Sequence, residues 1–206
     1  MTNYWSNVRS VLTGTVVAQS IPIIGSLVIA RIYSASEFGV FASWLGGISI
    51  VSIVVTGRFE QALAIESDGI RRNFFAITIL WVIFIFATII SVLLMVLSFN
   101  NWWIFKSFSL FQTVLLIPSF MAVAITQTWQ SLAAADGKFR KLSIMRIVQS
   151  SSIIIAQIVM GFYYGTASSL MIGHLFGVIL SVIVSFFLIN PYQIKIGMQF
   201  SMVKRY

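Results

Sequence analysis

FFAITILWVIFIFATIISVLLMVLSF, residues 74–99, runs for 26 residues without a charged side chain. Hydrocarbon about 30 Å thick is crossed by about 20 apolar residues of helix. A helix this apolar on every side has no face to show to water, so the stretch predicts a bilayer span. Working outward, five more stretches approach the same length: 8–30 and 38–55 before it, then 108–133, 142–164 and 168–189 after it. Each must be helical, because backbone N–H and C=O groups facing lipid have to be satisfied within their own segment. The fold class expected is therefore all-α membrane, with six transmembrane helices over residues 1–190.

Composition excludes the soluble alternatives. Charged residues make up 9% and apolar residues 59%, with mean hydropathy +0.98. A soluble domain carries about a quarter charged residues. The net charge of +8 would point to nucleic acid in a soluble chain. Here the excess is assigned to loop lysines and arginines, and no nucleic-acid partner is expected. There is no cysteine, so thiol chemistry and cysteine metal sites are excluded. One histidine and five carboxylates give no basis for a metal centre, and no cofactor is expected. The first apolar stretch is too long for a signal-peptide core and is read as a retained span.

The charges also orient the chain. If the N-terminus is cytoplasmic and the spans alternate, that side receives Arg9, Arg71, Arg72, Lys138, Arg140, Lys141, Arg146, Lys195, Lys204 and Arg205. The far side receives only Arg31 and Lys106. The positive-inside rule therefore predicts both termini in the cytoplasm. Trp102 and Trp103, in the outer loop at 100–107, suit interfacial anchors. After Asn190-Pro191, residues 191–206 mix apolar and basic side chains. That pattern fits an interfacial segment on the cytoplasmic leaflet, or a linker to further spans.

Polar groups inside spans are costly and commonly face protein or a water-filled cavity. Arg58 and Glu60 stand at the inner end of the second span. Two residues apart on one helix they point apart, so each is expected to meet a different partner. For Arg58 the candidates are anionic headgroups or a substrate phosphate, and for Glu60 a basic residue such as Arg146 or Arg9. On the fifth span Arg146, Gln149, Ser150, Gln157 and Gly161 follow helical spacing, as a cavity wall or a polar seam between packed helices would. The fourth span adds Thr126, Gln127 and Gln130, with Pro118 in its middle, and the first adds Gln19, Ser20 and Pro22. Gly173, Gly177, Ser181 and Ser185 form a small-residue ladder read as packing. His174 beside it is either a proton relay or a structural residue. No catalytic set and no phosphate-binding loop is present, so enzymatic function is not expected.

Three stretches together resemble a known family. They are Ala30-Arg31-Ile32-Tyr33-Ser34-Ala35-Ser36-Glu37-Phe38-Gly39, Thr56-Gly57-Arg58-Phe59-Glu60-Gln61-Ala62, and Gly137-Lys138-Phe139-Arg140-Lys141 followed by Arg146-Ile147-Val148-Gln149-Ser150. In order and spacing they resemble the N-terminal half of bacterial polysaccharide-biosynthesis membrane proteins. Those are the O-antigen, or lipid-linked oligosaccharide, flippases of the MATE-like exporter superfamily. The resemblance implies one six-helix lobe of a two-lobed transporter in the bacterial inner membrane. The segment 191–206 would then lead toward a second lobe. It further implies flipping of undecaprenyl-diphosphate-linked oligosaccharide, as in lipopolysaccharide assembly. The implied partners are membrane lipid, a second lobe or a homodimer, and glycan-assembly proteins.

On this reading Arg58 and Arg146 are candidate diphosphate ligands on the loading side and Arg31 on the release side, since arginine presents a planar fork of donors. Gln19, Gln127, Gln130, Gln149 and Gln157 are candidate partners for sugar hydroxyls. Glu60 and His174 are candidates for ion pairing or coupling. The competing readings are a small-molecule antiporter lobe of the same superfamily, an inactive inserted remnant, and a membrane glycosyltransferase or polymerase.

Overall fold

The computed structural model describes residues 2–66, 69–100 and 108–189, with side chains from residue 12 onward. Arg9, Trp102, Trp103, Lys106 and segment 191–206 fall outside the described side chains. Among the described residues seven helices follow in order: α1 (Thr2–Ile32), α2 (Ala35–Thr56), α3 (Phe59–Ala62), α4 (Gly69–Phe99), α5 (Leu110–Ala135), α6 (Phe139–Tyr164) and α7 (Ala167–Leu188). All but the four-residue α3 are long and apolar enough to cross a membrane. The six-span, all-helical fold predicted from hydropathy is thus observed.

The helix ends have local causes. The Ser34 hydroxyl accepts the Glu37 N–H at 3.3 Å and caps α2. Ser109 and Gln112 exchange two hydrogen bonds as a capping box at the start of α5. Gly57 ends α2 with φ +54°, a left-handed conformation that costs glycine little, and its N–H closes on the Ile53 and Val54 carbonyls.

Arg58 follows, also left-handed at φ +60°. The second span therefore stops at Thr56. Arg58 and Glu60 do not share its last turn, which corrects the expectation that they occupy one continuous helix. Arg58 stands in an exposed turn, and Glu60 lies on the separate helix α3.

The bundle is built around α6, which lies between α1 and α7; α7 packs on α5, and α5 packs on α4 and α2. Gly14 and Gly25 of α1 face Ser143 and Ile154, and Gly161 of α6 faces Tyr33. The numbers rise together, so α1 and α6 run the same way. On the other side of α6 a Cβ on Gly177 would lie 2.5 Å from the Ile153 Cα, and one on Gly173 2.8 Å from the Gln157 Cα. Only glycine allows the backbones of α6 and α7 to approach this closely, as the ladder predicted.

Large side chains fill the interior: Trp44, Phe120, Leu132, Met145 and Leu170 are buried. The outside is apolar too, with Leu27 68% and Phe187 79% exposed. A surface of that kind matches lipid rather than water. Many hydroxyls bond within their own helices: Ser20 donates to the Val16 carbonyl, Thr88 to Phe84 and Thr126 to Ala122.

Candidate functional site

Charge separates the two ends of the bundle. At one end Arg72 joins α4 to the end of α5, donating to the Ala135 carbonyl at 2.9 Å and to Asp136 Oδ1 at 2.7 Å. Its other nitrogens donate to the Glu66 carbonyl. Lys138 pairs with Asp136 at 2.8 Å. Burial pushes the Asp136 carboxyl up, but hydrogen bonds and charge from Lys138 and Arg72 prevail and hold it below the ordinary carboxylate value. Lys141 donates to the Leu188 carbonyl at 2.7 Å and so caps α7.

Among the described residues the opposite end carries only two charges, Glu37 and Arg31. There Glu37 accepts the Ala167 N–H at the start of α7, where the helix dipole favours a carboxylate. This gives the Glu-Phe-Gly motif a structural role. Arg31 stands exposed in the last turn of α1 at the same end.

Between these ends α1 and α6 enclose a groove of about 610 Å³, lined by Thr15, Ala18, Gln19, Pro22, Ile23, Arg146, Gln149 and Ser150. The Arg146 guanidinium donates through Nη1 to the Thr15 hydroxyl at 3.0 Å. Gln130 of α5 donates to Gln149 Oε1 at 2.8 Å, so the amide row extends onto a third helix. Arg146, Gln149 and Ser150 are half-buried and Gln19 is exposed. A guanidinium held by one neutral hydroxyl keeps donors to spare. With amides and hydroxyls beside it, the groove can take an anionic group together with polyhydroxylic neighbours.

The polar stripe of α6 divides at mid-height. Arg146 and Gln149 open on the groove. Gln157 is buried: its Nε2 donates to the Leu170 carbonyl at 3.2 Å, and its own carbonyl accepts the Tyr33 phenol at 2.8 Å. Ser169 adds a 3.3 Å contact to the same phenol oxygen. Burial pushes the Tyr33 phenol above its ordinary value, and the Ser169 hydrogen bond opposes that. Gln157 is therefore a tie between helices and does not reach the groove.

The remaining candidates do not gather there either. Gln127 is half-buried on α5 and does not line the groove. Arg58 is exposed in the α2–α3 turn. Glu60 is buried, and its Oε2 has no hydrogen-bond partner among the described residues; Arg146, one of its expected partners, bonds Thr15 instead, and Arg9, the other, lies outside the described side chains. His174 is buried on α7 with Nδ1 unpartnered, its ring 5.7 Å from Trp44 and 6.2 Å from Phe41. Thr15 was not picked out from the sequence. Its signal was its position one helical turn before Gln19. No group of three or more metal-ligating side chains occurs among the described residues.

No curated protein and no solved structure matches the chain. The family described as polysaccharide biosynthesis protein matches residues 28–206, which covers α2 to α7 and the end of α1. The chain is thus a multi-pass membrane protein that belongs to the polysaccharide biosynthesis protein family.

Proposed function

We propose that the protein forms one lobe of a MATE-like flippase that moves undecaprenyl-diphosphate-linked oligosaccharide across the bacterial inner membrane. The observation that carries this reading is the α1–α6 groove, where Arg146 stands among Thr15, Gln19, Gln130 and Gln149 inside an otherwise apolar bundle. A diphosphate cannot cross hydrocarbon without compensating cations. A guanidinium placed in the wall of a lobe supplies one, through two parallel N–H donors. The neighbouring amides and hydroxyls suit the sugar that follows the phosphates. Membership of a polysaccharide biosynthesis family supports a glycan substrate, and the six spans support transport rather than chemistry on it.

Alternating access moves one lobe against another. A groove on one face of a six-helix lobe is half of such a passage, and a second lobe or a second copy of the chain supplies the facing wall. The positive-inside rule places the Arg72–Lys138–Lys141 end in the cytoplasm. Arg146, seven residues into α6 from that end, then lies on the loading side.

Glycan export in a flippase-deficient strain tests the reading. Arg146→Ala in the full transporter lowers export about 10- to 100-fold while membrane insertion persists, and Arg146→Lys recovers part of it. Normal export by Arg146→Ala would contradict the assignment. A small-molecule antiporter lobe is a second reading, favoured by the buried, unpartnered carboxylate oxygen of Glu60. It predicts Glu60-dependent dye efflux with glycan export untouched.

A further inference from the structure

A second depression lies away from the polar groove. Helices α4, α5 and α7 border an apolar channel of about 500 Å³, whose walls include Leu80, Phe84, Met121, Trp129, Ile183 and Phe187. Every lining side chain is apolar, and the volume is of the order of one fatty-acyl chain. Trp129 is buried against Phe186, with ring centroids 6.5 Å apart, and forms a rigid floor.

The channel sits near the basic end. Trp129 is six residues before the last residue of α5, about 9 Å along the helix axis. Phe187 is next to Leu188, whose carbonyl Lys141 caps. Beyond the channel at that end, Arg72 and Lys138 meet Asp136 where α4 joins α5, and Lys141 of α6 caps α7. Arg72 is committed to Asp136 and to two carbonyls. Lys138 and Lys141 are exposed, and each ammonium has three protons, of which one is used in the hydrogen bonds described. Arg71, Arg72, Lys138, Arg140 and Lys141 outnumber Glu60, Glu66 and Asp136 and leave the described residues of this end net positive.

We propose that the α4–α5–α7 channel is a binding site for an anionic diacyl phospholipid of the leaflet at the basic end. One acyl chain lies along Trp129, and the headgroup phosphate is held between Lys138 and Lys141. Charge complementarity selects the occupant. A zwitterionic lipid fills the same channel but gains little from the lysine pair, whereas a basic site between helices favours an anionic headgroup. The site is separate from the Arg146 groove and does not depend on its function.

The test uses the full protein in phosphatidylcholine bilayers containing brominated phosphatidylglycerol or brominated phosphatidylcholine at equal mole fraction. Quenching at Trp129 is read as the difference between wild type and Trp129→Phe. The expected result is about fivefold stronger apparent binding of the anionic lipid. Trp81, 64% exposed on α4, is present in both proteins and cancels in that difference.

Lys138→Gln with Lys141→Gln removes the preference, and the Arg pair at the same positions restores it. Lys138→Gln alone leaves the α7 cap intact and lowers the preference in a fold that keeps its ends. Equal quenching of Trp129 by both lipids in the wild type would overturn the proposal, as would an anionic preference that survives the double Gln variant. Displacement of phosphatidylglycerol by stoichiometric polyprenyl diphosphate would overturn it in favour of a substrate-tail seat.

Discussion

The lower and upper halves of α6 carry the same kinds of side chain, yet they do different work. Gln149 and Gln157 are two turns apart on nearly one face. Gln149 meets only another amide and opens on a groove that also holds Arg146. Gln157 is sealed by Tyr33 and the Leu170 carbonyl. Periodicity alone cannot tell these halves apart. What separates them is the covering element: Tyr33, just past the end of α1, closes over Gly161 and Gln157, whereas lower down Thr15 and Gln19 leave room. A polar stripe in a membrane helix is thus a seam where a neighbour covers it and a wall where none does.

The contrast breaks most completely at the glycines that set helix spacing. Gly177→Leu drives a side chain into the Ile153 backbone of α6. The cost is on the order of 3 kcal/mol, and folded protein recovered in detergent falls sharply. Both halves are lost together.

Arg146→Ala strikes the open half alone. Loss of a charge-assisted contact to substrate predicts about a 10- to 100-fold fall in export. The melting temperature in detergent changes little, because the partner released is a single Thr15 hydroxyl.

The amide pair sharpens the distinction. Gln149→Leu lowers export and leaves stability nearly unchanged. Gln157→Leu and Tyr33→Phe leave export unchanged and each cost about 1 kcal/mol, because a buried hydrogen bond is removed. If the two glutamine variants behaved alike in both assays, the division of α6 would be wrong.

The smallest effect is at the basic end. The Asp136 carboxyl is held below its ordinary value of 3.8 in the folded protein. Its contribution to stability is therefore whole above the unfolded pKa, and it declines as pH falls through 3.8 toward the depressed folded value. Asp136→Asn flattens that acid limb of a pH–melting curve and leaves the neutral region almost unchanged.

Much of this was legible in the sequence. Apolar runs of bilayer length gave the number of spans, and the paired basic residues marked one end. The spacing of Gly173 and Gly177 predicted a close backbone approach, and the structure supplies the partner, α6. Arg146, Gln149 and Gln130 stood out as polar groups with no place in lipid, and the fold brings them beside one groove. The turn at Gly57 was the missed signal, since glycine at a helix end commonly takes the left-handed conformation. It separates Arg58 from α2 and sends Glu60 onto its own short helix. Contacts across the chain left no local trace: Glu37 on Ala167, Arg72 on Asp136, and Tyr33 on Gln157 each join residues far apart in sequence. Thr15 carried only a faint mark, one turn before Gln19, because one hydroxyl in an apolar helix ordinarily bonds its own backbone.

The central claim is that the Arg146 groove holds the diphosphate of a lipid-linked substrate. Titration of the purified protein in nanodiscs with undecaprenyl diphosphate and undecaprenyl monophosphate tests it directly. The account predicts tighter binding of the diphosphate, weakened about 10- to 100-fold by Arg146→Ala and only partly by Arg146→Lys. Equal affinity of wild type and Arg146→Ala for the diphosphate would contradict it.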